Sequence, residues 1–542
     1  MTEKTTESPL QQRCRVIADT IGLAAPSPER PLASLIDSLR SSTLEIRSAI
    51  WALYQAAFAR LPQREDIVQL VTPFERASAD DLAAKLVATE EFRTGMQNVT
   101  RLQRLPKGGP AIAVTHTVSY PHNSGIQRVV RSTARRLRDA CLPHTLICFD
   151  KTLNHFRLLD ERETALLYDW EQMARAATTK TKSRYTRKVG EWLLGRRLNE
   201  SIKAFTRTWK SFRRKPNLSA GPAQERIGAR TAVFIWNDQL LLPELLEPQW
   251  IDVVQGLLAH SPVVSTLVLY DLIPIKSPEF CVSVVDCFVR NLNLIRDVDR
   301  VSCISEAVAD DLRSMLPLLE RKRPGPEIVA QHLGGDFDFR DESKESGVNR
   351  AGELPLVLSV GTIEVRKNHW RTLRALAAAQ RRGAKFRAVF AGNPGWLNES
   401  FLAELKYCQS QGFQVELRTS VSEAELSALY QSAALTVYCS LSEGFGLPIV
   451  ESVRKGVPCL TSDRGSMLEI AERIGGCVTV NPESETDIAD AVCKLLGDAE
   501  KLAALKAEAE ASQWPTWADY AGELYVFASA PRNTAANLRT VA

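Results

Sequence analysis

Hydrophobic positions recur at two different periods along the chain, and the change of period divides it. Up to about residue 98, apolar side chains recur at helical spacing, as in AIWALYQAAFARLP and ADDLAAKLVATEEFRTGM, and no strand-like run interrupts them. Residues 1–98 are therefore predicted to form a small helical module. The RLQRLPKGGP stretch that follows is basic and rich in proline and glycine, which predicts a linker.

Beyond the linker, short apolar runs rich in β-branched residues alternate with helical stretches in two series. The first series contains AIAVTHTVSY, HTLICFD, RTAVFIWND, VVSTLVLYD and RVSCIS. The second contains LPLVLSVG, FRAVFAG, FQVELRT, LTVYCS, PCLTSD and GCVTV. Such alternation is typical of parallel sheets covered by helices. The predicted fold class is α/β, with doubly wound domains over residues 110–340 and 350–515 joined by a polar stretch near 338–353.

One basic segment interrupts the first series, as an insertion over about residues 175–220. Between Lys180 and Lys215, thirteen lysines and arginines are accompanied only by Glu191 and Glu200. Trp, Leu and Phe recur there at near-helical spacing, a pattern typical of a helix lying on an anionic membrane surface. The alternative is a solvated basic excursion with a few apolar anchors. No nucleic-acid partner is expected, because no recognition motif accompanies the charge.

Composition supports a globular protein and excludes several other classes. The 542 residues are 44% hydrophobic and 24% charged, unlike disordered, collagen-like or coiled-coil chains. The 11 cysteines include no CxxC pair and no Cys/His cluster with zinc-ligand spacing, which indicates buried thiols in a reducing compartment. The polar start lacks a signal-peptide pattern, and Val253 to Tyr270 is predicted to be a helix, a turn and a strand. A cytoplasmic location is expected.

The sharpest chemical signal is SLSEGFGLPIVESVRKGVPCLTSDRGSMLEI, over residues 440–470. A predicted strand ends there in a loop with two glycines, which let a backbone approach a ligand, and a helix starts at Pro448 and offers free N–H groups to phosphate. Glu443 lies in the loop and Glu451 one turn into the helix, so both carboxylates can face one crevice. Carboxylates suit sugar and ribose hydroxyls because they accept several hydrogen bonds.

A second signal is LSVGTIEVRKNHWRTLRAL, over residues 358–376. A predicted strand ends at Gly361, and Arg366 and Lys367 precede a helix. Two adjacent cations at the carboxyl end of a strand can neutralise a diphosphate and stabilise the charge on a phosphate leaving group.

Together the two signals resemble the carboxy-terminal domain of the retaining glycosyltransferases of family four, which have the GT-B fold. Glu443 to Glu451 match the family's E-G-F-G-L-P-x-x-E context, and Gly361 to Asn368 match its G-x-x-x-x-R-K-N strand end. The resemblance implies two Rossmann-like domains that face a cleft, here preceded by the helical module. It also implies that a helix at 516–530 crosses back to the first of these domains.

The resemblance carries residue roles with it. In this family the Arg and Lys bind the donor diphosphate, the first glutamate contacts the donor sugar, and the second holds the ribose hydroxyls. The region of Arg418 and Thr419 contacts the base, mostly through the backbone. The donor-binding residues implied here are Gly361, Arg366, Lys367, Arg418, Thr419, Glu443, Gly444, Phe445, Gly446, Leu447 and Glu451.

The amino-terminal half has fainter counterparts of the same family. HNSGIQRVVRSTARRL is similar to its first loop and helix, and directs Gly125 and Arg128 toward the phosphates or the acceptor, unless this is an ordinary strand–helix turn. VLYDLIPI resembles a V-x-H-D-L-x-P segment, with Asp271 at the Asp position and Tyr270 in place of the usual histidine. His116, at the end of the first predicted strand, is a candidate for acceptor binding.

The implied reaction transfers a sugar from a nucleotide diphosphate to an acceptor hydroxyl with retained configuration. The GIQRV and YDLIP variants resemble bacterial enzymes that transfer mannose or rhamnose, and GDP-mannose is the first expected donor. The expected acceptor is a lipid-linked glycan in O-antigen, capsule or exopolysaccharide synthesis, at the inner face of the membrane. The residues predicted to be catalytic are Glu443, Arg366, Lys367 and Asp271; neither a metal nor a cofactor is expected. A catalytically silent scaffold and a nucleotide-sugar epimerase of similar fold are the alternatives. A protein-docking role for residues 1–98 is compatible with each.

Overall fold

The computed structural model describes most of the chain. The described residues are 7–98, 101–106, 108–119, 124–170, 231–281, 285–319, 325–336 and 354–532. The basic segment predicted to contact a membrane and the polar stretch at 338–353 lie outside them. Within these ranges no helix is long and apolar enough to cross a bilayer.

Six helices form the amino-terminal module. They are α1 (Pro9–Ile21), α2 (Pro31–Arg40), α3 (Ile46–Phe58), α4 (Arg64–Arg76), α5 (Ala79–Val87) and α6 (Glu90–Asn98). Ser8 and Ser78 cap α1 and α5, each accepting a backbone N–H in the first turn. Helix α3 is buried on all sides from Ala49 to Phe58, because nearly every residue in that run is apolar. It is the central helix of the module.

The module shares its hydrophobic core with the domain that follows. One contiguous cluster of buried side chains joins Ile17 and Trp51 of the module to Phe234 and Val254 beyond it. Arg13, fully buried inside the module, donates hydrogen bonds to the carbonyl oxygens of two residues at the end of α3. Because apolar burial is the main stabilising term in folding, the helices and the next domain stabilise each other.

In the described part of the first α/β domain, the chain forms nine strands. They are β1 (Arg101–Arg104), β2 (Ala111–Ala113), β3 (Thr145–Asp150), β4 (His155–Leu158), β5 (Thr231–Phe234), β6 (Gln239–Leu242), β7 (Val264–Leu269), β8 (Arg300–Cys303) and β9 (Glu327–Ala330). Seven of them form a sheet in the order β4-β3-β2-β6-β7-β8-β9, parallel except for the β3–β4 pair at one edge. The helices are α7 (Thr115–Ser119), α8 (Gly125–Asp139), α9 (Glu161–Tyr168), α10 (Pro248–His260), α11 (Ile273–Lys276), α12 (Val285–Asp297) and α13 (Glu306–Met315).

Two local predictions were wrong in this domain. The predicted strand AIAVTHTVSY ends at Ala113, and α7 follows, because the buried carboxylate of Glu244 accepts the backbone N–H groups of His116 and Thr117. RLQR, predicted to belong to a linker, is strand β1. It pairs in parallel with β5, so that RTAVFIWND belongs to a separate two-stranded sheet and not to the main one.

The second α/β domain has six strands, all parallel. They are β10 (Leu356–Val360), β11 (Arg387–Ala391), β12 (Val415–Arg418), β13 (Ala433–Tyr438), β14 (Cys459–Ser462) and β15 (Cys477–Val480), in the order β12-β11-β10-β13-β14-β15. The helices are α14 (His369–Arg381), α15 (Glu399–Ser410), α16 (Glu423–Ser432), α17 (Leu447–Arg454), α18 (Gly465–Arg473), α19 (Glu485–Gly497) and α20 (Ala499–Ala511). The strand order reverses between β10 and β13, which is where doubly wound sheets bind ligands.

The last described helix, α21 (Trp517–Ser529), packs against α8 of the first α/β domain. Trp517, Tyr520 and Leu524 are buried in this contact. Asp336 fixes the start of the helix, since its carboxylate accepts the backbone N–H of Trp517. The chain therefore returns to its first α/β domain. The predicted fold class is confirmed: a GT-B arrangement of two doubly wound domains, preceded by a helical module.

Candidate active site

The two α/β domains enclose a cavity of about 560 Å³ at the carboxyl ends of β10 and β13. Predicted site residues from both domains line it: Gly125, Arg128, Asp271, Gly361, Arg366, Lys367, Glu443, Gly444, Phe445, Gly446, Leu447 and Glu451. A larger cavity of about 730 Å³ lies between the helical module and the amino ends of β8 and β9. Ligands of parallel sheets bind at the carboxyl ends of strands, so the first cavity is the candidate site.

A turn after β10 places the two cations. Gly361 has φ 145°, in the region that favours glycine, and a short 3-10 helix over Val365–Lys367 follows it. Asn368 adopts the left-handed conformation with φ 59°, which asparagine tolerates better than most residues. Its side-chain amide donates to the carbonyl oxygens of Cys439 at 2.9 Å and Pro482 at 2.7 Å. The RKN turn is thereby attached to the loop that follows β13.

Glu443 is the centre of a buried charge cluster. Its Oε2 lies 2.5 Å from Nη1 of Arg366, and its Oε1 lies 2.6 Å from Nζ of Lys367. Glu364 accepts a second bond from Arg366 at 2.8 Å, and the Tyr438 hydroxyl lies 2.8 Å from both Lys367 and Glu443. The Glu443 side chain is only 8% exposed. Both carboxylate oxygens are paired with cations, which is what burial of such a charge requires.

The cluster changes the proton affinities of its members. Burial acts to raise the pKa of Glu443, but Arg366 and Lys367 outweigh it and lower that pKa to about 2. Burial acts to lower the pKa of Arg366, but the carboxylates of Glu443 and Glu364 outweigh it and raise that pKa. Burial lowers the pKa of Lys367. Glu443 is therefore ionised at neutral pH.

Asp271 and Tyr270 reach the cavity from the first α/β domain. Oδ1 of Asp271 accepts the N–H of Ile273 at 3.0 Å, and burial raises the pKa of this carboxyl. The Tyr270 hydroxyl donates to the carbonyl of Pro243 at 2.8 Å, and burial raises its pKa as well. Tyr270 thus binds within its own domain, and Asp271 is the ionisable group of this segment beside the charge cluster.

Gly444 brings the two domains into backbone contact. A Cβ at this position would lie 1.9 Å from the carbonyl oxygen of Tyr270, so only glycine fits. The Gly444 carbonyl accepts a hydrogen bond of 2.8 Å from the Ser305 hydroxyl, which also accepts the Val308 N–H at the start of α13. The glycine-rich loop after β13 is consequently held by the first domain on one side and carries Glu443 on the other.

An ion pair links the domains across the cavity. Nη1 of Arg128, on α8, lies 2.5 Å from Oε1 of Glu451, on α17. The other oxygen of Glu451 accepts the Tyr430 hydroxyl at 3.0 Å. Two residues predicted for different halves of the site are thus in direct contact.

Three predicted residues lie outside the cavity lining. Arg418 and Thr419 are exposed; Arg418 pairs with Glu416, and its carbonyl accepts the N–H of Gly392. His116 lies in α7 and not at a strand end. Burial in this helix lowers the pKa of its ring. The positions of Arg418 and Thr419 follow from the strand order, since β12 is an edge strand two places from the reversal point.

The structure also adds residues that the sequence analysis missed. Glu364 and Tyr438 complete the charge cluster, and Tyr430 holds Glu451. Trp396, 45% exposed, lines the cavity together with Leu426. Glu364 and Trp396 each follow a predicted strand by a few residues, in TIEVRKN and GNPGW, which is the signal that identifies them. In the part of the chain described, no three His, Cys, Asp or Glu residues are grouped to hold a metal ion.

Comparison with known proteins shows what this chain is similar to. Residues 340–512 match the family described as Glycosyl transferases group 1. The serotype-specific mannosyltransferase WbdA of Escherichia coli is 27% identical over 301 residues, 53% of this chain and 36% of that protein. The GDP-mannose:cellobiosyl-diphosphopolyprenol alpha-mannosyltransferase of Xanthomonas oryzae pv. oryzae (strain PXO99A) is 34% identical over 154 residues, 28% of this chain and 40% of that protein. The Escherichia coli O-antigen chain mannosyltransferase B is 29% identical over 159 residues, 28% of this chain and 41% of that protein. The chain thus spans less than half the length of each relative.

Proposed function

Since residues 340–512 form a domain of the glycosyl transferases group 1 family, we propose that this protein transfers a sugar from a nucleoside diphosphate to a glycan acceptor. The observation that carries the proposal is the buried cluster of Glu443, Arg366 and Lys367 at the reversal point of the second sheet, opposite Asp271 of the first domain. Preorganised charged groups in such an enclosed site strongly stabilise the charge that develops in the transition state of a reaction.

The donor diphosphate is proposed to bind Arg366 and Lys367. Breaking the bond between the anomeric carbon and the phosphate oxygen transfers an electron pair to that oxygen, and the two cations stabilise the resulting charge. Glu443 holds hydroxyls of the donor sugar, for which its ionised state at neutral pH suits it. Glu451 holds the ribose hydroxyls.

The acceptor is proposed to enter beside Asp271. Its hydroxyl attacks the anomeric carbon from the face that the phosphate leaves, and its proton passes to the departing phosphate, so that configuration is retained. Asp271 positions the hydroxyl. Contact of the two domains around Gly444 excludes water from the reacting carbon and limits hydrolysis of the donor.

The sugar is proposed to be mannose, delivered by GDP-mannose to a lipid-linked glycan at the inner face of the membrane. The names of the three relatives support this assignment, since all are mannosyltransferases and one acts on a diphosphopolyprenol. Trp396 offers the nucleobase an exposed aromatic face at the cavity. Membrane contact through residues 180–215 belongs to the same proposal.

The first experiment compares GDP, UDP, ADP and dTDP at saturation for their effect on the melting temperature. GDP is expected to raise it most, because a ligand that binds only the folded state stabilises that state. Arg366→Ala and Lys367→Ala are expected to abolish the shift, whereas Arg382→Ala, an exposed arginine of the same domain that pairs with Asp490, keeps it.

Transfer is then measured as release of GDP from GDP-mannose in the presence of membrane-extracted lipid-linked glycans. Binding without transfer would favour a catalytically silent scaffold. No shift with any of the four nucleotides would overturn the proposed donor site.

A further inference from the structure

Glu451 is held from both domains at once. Its side chain is only 3% exposed, and that of its partner Arg128 is 19% exposed. Arg128 comes from the first turn of α8 in the first domain, and Tyr430 comes from α16 in the second. A carboxylate that is buried to this degree needs a cation and hydrogen-bond donors to remain charged.

The contacts leave part of this carboxylate available. An ionised carboxylate has about four acceptor positions, two on each oxygen. Arg128 binds Oε1 and the Tyr430 hydroxyl binds Oε2, one donor on each oxygen. Burial raises the pKa of Tyr430 well above its ordinary value, so this hydroxyl keeps its proton and donates. Each oxygen therefore retains a position for a further donor, a pattern that suits two neighbouring hydroxyls.

The ion pair also depends on the relative position of the domains. Arg128 and Glu451 belong to different α/β domains, and Gly444 packs against Tyr270 beside the same cavity. Any movement that separates the domains separates Arg128 from Glu451. A ligand that binds more tightly to the fixed carboxylate consequently stabilises the conformation in which the domains are in contact. Contact between the domains in turn raises the affinity for that ligand.

We infer that Arg128 is a positioning residue: it orients the Glu451 carboxylate for the ribose hydroxyls of the nucleotide, and so couples nucleotide binding to domain contact. This inference rests on the proposed function, because Glu451 is assigned to the ribose there. It adds that a residue of the first domain determines affinity for a nucleotide bound by the second.

The test compares two nucleotides that differ only in the ribose hydroxyls. GDP and 2′,3′-dideoxy-GDP are titrated by calorimetry into the full chain, into Arg128→Ala, into Glu451→Gln and into the double variant. Arg128→Ala is expected to weaken GDP binding about 5- to 150-fold, the usual range for coupled sites, and to leave dideoxy-GDP binding nearly unchanged. In the Glu451→Gln background the same change should cost nothing further, since Arg128 acts through Glu451.

Matched controls separate this role from a loss of folding or of general positive charge. Arg138→Ala removes an exposed cation from the same helix and is expected to leave both affinities unchanged. Arg128→Lys is expected to recover part of the GDP affinity, because an ammonium restores the charge but with fewer donors. Circular dichroism confirms that each variant is folded.

The outcomes are distinguishable from those of the proposed function. An equal loss for GDP and dideoxy-GDP in Arg128→Ala would overturn the inference and leave the donor site intact, since Arg128 would then act on the phosphates or on the fold. Additive losses in the double variant would overturn it too. Failure of the unchanged protein to bind either nucleotide, with UDP and ADP equally inactive, would overturn the proposed function and this inference together.

Discussion

Glu443 is buried with two cations, which stabilise the negative charge of its carboxylate and are stabilised by that charge in turn. The pKa of Glu443 is lowered to about 2 from an ordinary value of 4.5, so its ionised form interacts more favourably in the folded protein than in the unfolded chain. That contribution is fully present above pH 4.5 and is lost as the pH falls toward 2. Loss of Glu443 would leave Arg366 and Lys367 buried beside one carboxylate fewer.

Glu443→Gln is expected to lower the free energy of unfolding by about 3 kcal/mol at pH 7, since each pKa unit corresponds to about 1.4 kcal/mol. The difference from the unchanged protein should be constant between pH 5 and pH 8 and narrow below pH 4.5. Urea unfolding at several pH values measures it. The exposed Glu416→Gln is the control, with no pH-dependent difference expected. If the difference in free energy of unfolding between the two proteins were the same at pH 3.5 as at pH 7, the lowered pKa could not be assigned to Glu443.

At the scale of single residues, the sequence predicted the positions that follow from a short motif. It did not predict the positions that depend on the order of the strands in the sheet. Glu443 and Glu451 stand at a set spacing on one loop and helix, so their meeting in one cavity could be predicted from the motif. The motif contains nothing about β12 being an edge strand, and Arg418, at the end of that strand, does not line the cavity. The roles predicted for all these residues remain predictions.

At the scale of elements, α3 is the link between the helical module and the first α/β domain. Trp51 is fully buried, its ring is centred 5.7 Å from that of His260, and it leaves no room for a Cβ at Gly256 on α10. Strand β1, which follows the module, pairs with β5, and the Gln12 side chain bonds both backbone groups of Leu102 in that strand. The module is thus packed as an integral part of the first α/β domain.

Trp51→Ala is expected to lower the free energy of unfolding by about 3–5 kcal/mol, as for other large buried aromatic residues. Helical circular dichroism and the fluorescence of the remaining tryptophans should shift to lower urea concentration together, because the core is shared. Val68→Ala, at a 56% exposed position of α4, serves as the control and should change stability little. Loss of the helical signal alone, with the rest of the fluorescence transition unmoved, would show that the module folds independently.

The hydrophobic pattern predicted the strands of the second α/β domain more completely than those of the first. Each of its six strands overlaps a predicted apolar run. The four inner strands are largely buried, whereas the edge strands β12 and β15 are only partly buried. In the first domain, RLQR shows no strand pattern; Leu102 alone is buried, and the strand exists because Gln12 and β5 satisfy its backbone. Tertiary contacts of this kind leave no periodic signal in the sequence.

At the scale of the whole molecule, Glu469 of α18 connects the second α/β domain to the first. Its two oxygens accept the N–H groups of Glu306 and Ala307 at the start of α13, each at 2.9 Å, and one of them lies 2.6 Å from Nε2 of His332. Burial acts to raise the pKa of Glu469, but the bond with His332 and the backbone donors outweigh it and lower that pKa. The ionised carboxylate therefore holds the first domain through the amino end of a helix.

Glu469→Ala is expected to weaken contact between the domains by about 1.5–3 kcal/mol, the range for hydrogen bonds to a charged group. Small-angle scattering should show a larger radius of gyration, and GDP should then bind more weakly. The matched control is Glu472→Ala, an exposed glutamate on the same helix, for which neither quantity should change. An unchanged radius with weaker GDP binding would mean that Glu469 acts on the nucleotide site without holding the domains.

The shared core of the helical module has a consequence for protein engineering. A chimaera that keeps the second α/β domain of this chain and takes the first from another protein cannot be joined at residue 98, since that seam cuts through the packing around Trp51. Helix α21 contacts the first domain and has to be exchanged with it. The unit of exchange is therefore the six helices, the first sheet and the final helix together, with seams near residue 350 and residue 515.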